Sequence, residues 1–121
     1  MSSARGLVVD DDPDLREAVL DVLTDEGYAV DCAADGLEGL ERLRSGERPC
    51  LILLDWMMPR CDGRQFRLAQ CADPSIADIP VVLLTADMHL DEKLDALDAA
   101  DYLRKPVDLS RLLAVVRRHC T

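Results

Sequence analysis

Leu51-Ile52-Leu53-Leu54-Asp55-Trp56-Met57-Met58-Pro59 sets four apolar residues directly against an acid. An apolar run this short, bounded by turn residues, reads as a strand buried on both faces. Asp55 then falls at the strand's carboxyl end. In open α/β sheets that edge is where ligands bind, so a rigid element presents Asp55 where chemistry is done. Asp10 and Asp11, Thr85 and Lys105 also close apolar runs, and each can reach the same edge.

Outward from that strand, the chain alternates between two periods. Gly6-Leu7-Val8-Val9 is a first strand running into Asp10-Asp11-Asp12-Pro13. Asp12 suits an N-cap and Pro13 the first helical position. Leu15, Ala18, Val19, Val22 and Leu23 recur at helical spacing up to Gly27, a helix stop. Tyr28 to Ala33 alternates as a second strand, and Asp35-Gly36 reads as a turn. Leu37, Leu40 and Leu43 mark a second helix ending near Ser45-Gly46. Asp62-Gly63 opens a weaker helix through Phe66, Leu68 and Ala69 that ends near Cys71. Val81 to Leu84 is a fourth strand ending in Thr85-Ala86. Leu90, Leu94 and Leu97 mark a further helix, Tyr102-Leu103 a short fifth strand, and Leu109, Leu112, Leu113 and Val116 the last helix. Arg117, Arg118 and His119 fall in its final turn, where cations favour the helix dipole. Strands alternating with helices imply βαβ units around a parallel sheet.

At 121 residues the expectation is one domain filling the whole chain, 1–121, with 49% apolar residues to build its core. No apolar run approaches the ~20 residues a membrane span needs, and Met1 to Arg5 carries no secretory apolar core. A cytoplasmic protein is the expectation. The net charge of −10 argues against direct binding to nucleic acid or to an anionic membrane and suits divalent cations and basic protein partners. The five cysteines, Cys32, Cys50, Cys61, Cys71 and Cys120, are scattered. No pair has zinc-site or C-x-x-C spacing, so all read as free thiols. Cys61, in the loop after Asp55, reads as a passive surface thiol.

Capping accounts for one acid of Asp10-Asp11-Asp12, and Asp12 is placed to do it. The other two are adjacent like charges, a repulsion that a cation between them relieves. Mg²⁺ takes oxygen ligands, commonly one or two carboxylates with waters and phosphate oxygens, and Asp55 is a natural third acid. Taken singly, Thr85 reads equally as a strand-end hydroxyl on backbone and Lys105 as a solvated lysine. Three acids, a hydroxyl and a lysine at four strand ends make a stronger case together.

These stretches resemble the receiver domain of bacterial two-component response regulators. The resemblance is carried by Leu7 to Pro13, Leu53 to Pro59, Asp62-Gly63, Leu84-Thr85-Ala86 and Asp101 to Pro106, in order and at matching spacing over almost the whole chain. It implies a flavodoxin-like α/β fold, a doubly wound parallel sheet of five strands in order 2-1-3-4-5. It also implies roles. Asp55 would be the phosphoacceptor, taking a phosphoryl group from a sensor histidine kinase or a phosphotransfer protein. Asp11, Asp55 and the backbone carbonyl of Met57 would ligate Mg²⁺, with Asp10 acting through a metal-bound water. Lys105, the Thr85 hydroxyl and the Ala86 amide would hold phosphoryl oxygens. Thr85 and Tyr102 would form the switch, and Lys105-Pro106 would be a cis bond. Such a domain is a signalling switch, catalysing only its own phosphotransfer and dephosphorylation, with a downstream protein target or fused output domain left open.

Departures from the family pattern are Asp98-Ala99 where Gly-Ala is usual and Val107 where Phe is usual. Two rival readings have specific discriminators. A phosphatase of the haloacid dehalogenase type wants a second acid two residues after its aspartyl nucleophile, and Met57 stands there. A pseudo-receiver, folded alike but working only as a phosphorylation-independent docking module, would be expected to lack some of the five site residues, and all are present.

Overall fold

The computed structural model describes residues 4–46, 48–58, 60–86 and 99–120. Its elements are β1 (Arg5–Val9), α1 (Pro13–Asp25), β2 (Ala29–Ala33), α2 (Gly36–Ser45), β3 (Leu51–Asp55), α3 (Gly63–Cys71), β4 (Val81–Thr85), β5 (Asp101–Arg104) and a last helix, α4 (Leu109–His119). The helix expected around Leu90, Leu94 and Leu97, and Asp98 in the turn after it, lie outside the described residues. All strand pairings are parallel, and the order is β2-β1-β3-β4-β5. This is the expected flavodoxin-like α/β sheet.

The continuous apolar strands are buried on both faces because alternate side chains enter different cores. Val9, Ile52, Leu54 and Leu83 face Leu40 and Leu43 of α2 and Phe66 of α3. Val8, Leu51, Leu53 and Leu84 face Val19 and Leu23 of α1 and Leu112, Val115 and Val116 of α4. The sheet is therefore the middle of three layers, and β3, at its centre, is buried along its whole length.

Local chemistry fixes the helix starts. Asp12 caps α1, its carboxylate accepting from the Asp14 amide at 3.0 Å, with Pro13 following as expected. Asp62 and Gln65 cap α3 reciprocally. Asp35 is no turn residue: it is the N-cap of α2 and accepts from the Glu38 amide at 2.9 Å. Leu37 and Leu68, counted above in the apolar stripes of their helices, are both 54% exposed. Their helices bury the Gly36, Gly39, Leu40 and Leu43 face and the Phe66, Arg67 and Gln70 face instead.

The cysteine reading needs the largest correction. Cys50 and Cys120 form a disulfide, with Cα atoms 5.5 Å apart and a sequence separation of 70. Cys32, Cys61 and Cys71 are free. The two bonded positions are distant in the chain, and the fold brings them together at the amino-terminal end of the sheet. Cys61 is buried rather than on the surface.

Candidate functional site

The carboxyl ends of β1, β3 and β4 and the residues just after β5 converge on one pocket of charges. Asp10 follows β1 and is fully buried. Its Oδ1 accepts from the Asp12 amide at 2.9 Å, and its carbonyl accepts from Arg16 at 2.7 Å. Asp55 ends β3 with 3% exposure, and its Oδ1 accepts from the Met57 amide at 3.2 Å. Lys105 reaches between the two, its Nζ 2.9 Å from Asp10 Oδ2 and 3.2 Å from Asp55 Oδ1. Carboxylate oxygens of Asp10, Asp11 and Asp55 all lie within 4.8 Å of one another.

Three acids thus face one lysine. Burial, and then the neighbouring Asp10 carboxylate, push the Asp55 carboxyl up to about 6, against the opposing pull of Lys105 and the Met57 amide. Burial works against the Lys105 ammonium, but its contacts with Asp10 and Asp55 outweigh that and raise it. The Asp10 Oδ2 atom is buried and receives no well-directed hydrogen bond despite its nearness to Lys105. A hard divalent cation answers both features: it neutralises the surplus negative charge and satisfies an oxygen that lacks a well-directed hydrogen bond.

The other expected residues stand around this centre. Thr85 ends β4, buried, and its carbonyl accepts from the Lys105 amide at 3.0 Å. Ala86 follows it at the surface. Met57 is 72% exposed. Tyr102 lies on β5 in register with Leu83 of β4 and is partly buried against the core shared with α2 and α3. The Lys105-Pro106 bond is cis. Gly63 lets α3 start close to the strand it follows, since a Cβ there would stand 2.8 Å from the Asp55 carbonyl oxygen.

Two contacts beside the site were not found from sequence. Arg60, with φ of 64°, pairs its guanidinium with Asp35. The Gly36 amide donates to the Cys61 carbonyl at 3.1 Å. Together they tie the loop after Asp55 to the start of α2. The cap itself carried a signal, since Asp35 precedes Glu38 by three positions in the manner of a capping box. Arg60 carried none.

The family model described as "Response regulator receiver domain" matches residues 7–117. The chain belongs to the response regulator receiver family. Its relatives include response regulator MprA of Mycobacterium ulcerans, 44% identical over 119 residues, covering 95% of this chain and 49% of that protein. MprA of Mycobacterium tuberculosis is 43% identical over 119 residues, covering 95% of this chain and 50% of that one. This receiver chain therefore spans about half the length of the curated relatives it matches. Among solved structures it resembles the chemotaxis protein CheY4 of Vibrio cholerae, with TM-score 0.89, 32% identity and coverage of 98% and 99% of the two chains. It also resembles a response regulator receiver protein of Pseudomonas putida, with TM-score 0.88, 28% identity and coverage of 98% of each. Among the described residues no helix is long and apolar enough to cross a membrane.

Proposed function

We propose that this receiver is a Mg²⁺-dependent phosphoacceptor switch whose nucleophile is Asp55. The observation that carries the reading is the placement of Asp55: buried, at the carboxyl end of the central strand, between Asp10 and Lys105.

A carboxylate oxygen of Asp55 attacks the phosphorus of a phosphohistidine on a sensor histidine kinase or phosphotransfer protein. The bond from phosphorus to the donor nitrogen breaks, and an aspartyl phosphate forms. An anion here approaches an anion, so the site needs positive charge fixed in advance. Lys105 supplies one such charge and needs little movement to pass from the Asp55 carboxylate to a phosphoryl oxygen. Asp11, Asp55 and the Met57 carbonyl would hold Mg²⁺ directly and Asp10 through water. Bound there, the ion would neutralise the acids and stabilise charge on the phosphoryl oxygens. The Thr85 hydroxyl and the Ala86 amide donate to the remaining oxygens.

The added charge, close to −2, draws Thr85 toward the phosphoryl group. Tyr102, on the neighbouring strand, follows into the space behind it, and the domain shifts to a second conformation that changes partner binding. The 1–121 chain acts as a single receiver domain in the cytoplasm, catalysing only its own phosphotransfer and dephosphorylation. Its output is a downstream protein or a fused domain. It contacts neither nucleic acid nor membrane itself.

Intact mass after incubation with acetyl phosphate and Mg²⁺ tests this. The expected result is a gain of one phosphoryl group that is lost without Mg²⁺ and in Asp55→Asn. Trp56 is the only tryptophan and is adjacent to Asp55, so its emission should respond to the ion. No gain from acetyl phosphate or from a phosphorylated histidine kinase, with Trp56 indifferent to Mg²⁺, would leave the docking-module reading in its place.

A further inference from the structure

The edge of the sheet opposite Asp55 carries a covalent bond that phosphoacceptor chemistry does not use. Cys50 immediately precedes β3, and Cys120 is the C-cap of α4. The bond between them pins the far end of α4 to the start of the central strand. The near end of α4 starts just after Lys105, which is itself paired with Asp55 at the other end of β3. One segment, residues 105–120, is thus clipped to both ends of the same strand. One clip is ionic and the other is a disulfide.

We propose that Cys50–Cys120 is a thiol-redox modification site, exchanging with low-molecular-weight thiols and disulfides, and that its state sets how firmly the carboxyl-terminal turn of α4 is held on the sheet. The inference goes beyond the phosphoacceptor reading and rests on its cytoplasmic placement alone, not on the chemistry at Asp55. In a reducing thiol pool a disulfide is characteristically transient or sensing rather than a permanent staple.

Three further features support the site. Cys50 is partly exposed while Cys120 is buried, so Cys50 is the nearer of the two to solvent and Cys120 the shielded leaving group. A Cys50 Sγ thiol has a waiting acceptor, the Arg5 carbonyl at 3.1 Å, so the reduced form is provided for. Packing at this corner is incomplete. An apolar cavity of about 10 Å³ lies against Leu23, Tyr28, Leu51, Leu53, Val116 and Cys120. The neighbouring tethers of the last turn are ion pairs at the surface, Arg117–Glu26 at 3.0 Å and Arg118–Asp101 at 3.3 Å, a class of contact that adds little. Once the bond is cut, this turn is held by the burial of Val115 and Val116 and by these two weak surface pairs.

The exchange balances as follows. A thiolate attacks Cys50 Sγ, and the Sγ–Sγ bond breaks with its electron pair leaving on Cys120, which takes a proton. A second thiolate attacks the external sulfur of the mixed disulfide and releases Cys50, which is protonated in turn. One protein disulfide and two external thiols give two protein thiols and one external disulfide. In the reverse direction the external disulfide is the oxidant.

The test uses the whole 121-residue chain. Protein dialysed into aerated thiol-free buffer is denatured and alkylated with iodoacetamide at about pH 8, where thiols ionise, and its intact mass is compared with that of protein first treated with dithiothreitol. Three alkylated cysteines are expected in the oxidised chain and all five after reduction, with peptide mapping assigning the protected pair to Cys50 and Cys120. Amide exchange is then followed over α4, with α2 as the internal reference. Reduction should speed exchange over residues 109–120 several-fold more than over α2. Cys50→Ser and Cys120→Ser should give the fast pattern with or without reductant. Should either variant fail to fold, the reduced wild-type chain carries the comparison alone. Five alkylated cysteines in the oxidised sample, a different protected pair, or exchange over 109–120 that ignores reduction overturns the proposal.

Discussion

The two ends of β3 solve opposite problems. At its amino end, Leu51 sits between α1 and α4 in an apolar layer, and Cys50 is bonded to Cys120. At its carboxyl end, about 13 Å away at the rise of a strand, Asp55 shares a buried space with Asp10 and leans on one lysine. One end lowers the free energy of the fold. The other raises it, because like charges are held together for a reaction. The apolar middle of the strand, Ile52 to Leu54, lets the second be tolerated, since it is buried against helices on both faces.

If that division holds, the largest stability change belongs to the amino end. A cross-link closing a loop of 70 residues is worth about 4 kcal/mol in the chain-entropy model, with engineered cases often giving less. Reduction of the wild-type chain should therefore lower its urea midpoint by about 1 M or more at the usual slope of ~1–3 kcal/mol per molar, with Cys50→Ser matching the reduced protein. An unchanged midpoint on reduction would place the stability of that end in packing alone and weaken the contrast.

The next effect has the opposite sign and lies at the carboxyl end. The folded-state pKa of Asp55 is about 6, above the ordinary 3.8, so the folded chain holds that proton more tightly than the unfolded one. The contribution is fully present below pH 4 and is lost as pH rises through 6. Above pH 6 the ionised carboxylate therefore costs stability, on the order of 1–2 kcal/mol after discounting for screening and for its share in Lys105. Asp55→Asn should raise the thermal midpoint in metal-free buffer at pH 8 and leave it nearly unchanged at pH 4. Mg²⁺ should raise the wild-type midpoint at pH 8 and act little on Asp55→Asn. A variant less stable than wild type at pH 8 would mean that Lys105 more than compensates the crowding.

How much of this contrast the sequence carries differs between the two ends. The carboxyl end is legible because each strand is a short apolar run stopped by a reactive side chain, so Asp10, Asp55, Thr85 and Lys105 announce both the element and its working edge. The Asp12 cap and the Asp62 cap are equally local. The disulfide is not local: Cys50 and Cys120 are 70 residues apart, and only the placement of α4 against β3 makes them neighbours. Asp35 was misread because Asp-Gly is a stronger turn signal than the cap pattern it shares with Glu38. Leu37 and Leu68 misled for a related reason. Spacing marks a stripe, but Gly36 and Gly39 give α2 its close face, and a leucine beside that face is left in water.

Asp35 gives a smaller prediction that bears on the loop behind the phosphoryl site. Its carboxylate caps α2 at the Glu38 amide and pairs with Arg60. Asp35→Ala should cost about 1 kcal/mol, the usual loss of an N-cap. The Arg60 pair should add to that, because its own side chain is 68% exposed but that of Asp35 is only 4% exposed, and losing the cation leaves a buried carboxylate. Arg60→Ala separates the two effects: it should cost less than Asp35→Ala, roughly 0.5 kcal/mol or somewhat more, while leaving the cap intact, read as urea midpoints measured side by side. If Arg60→Ala costs as much as Asp35→Ala, the loop after Asp55 is held by the ion pair rather than by the cap. The carboxyl edge would then depend, like the amino edge, on a bond between residues distant in sequence.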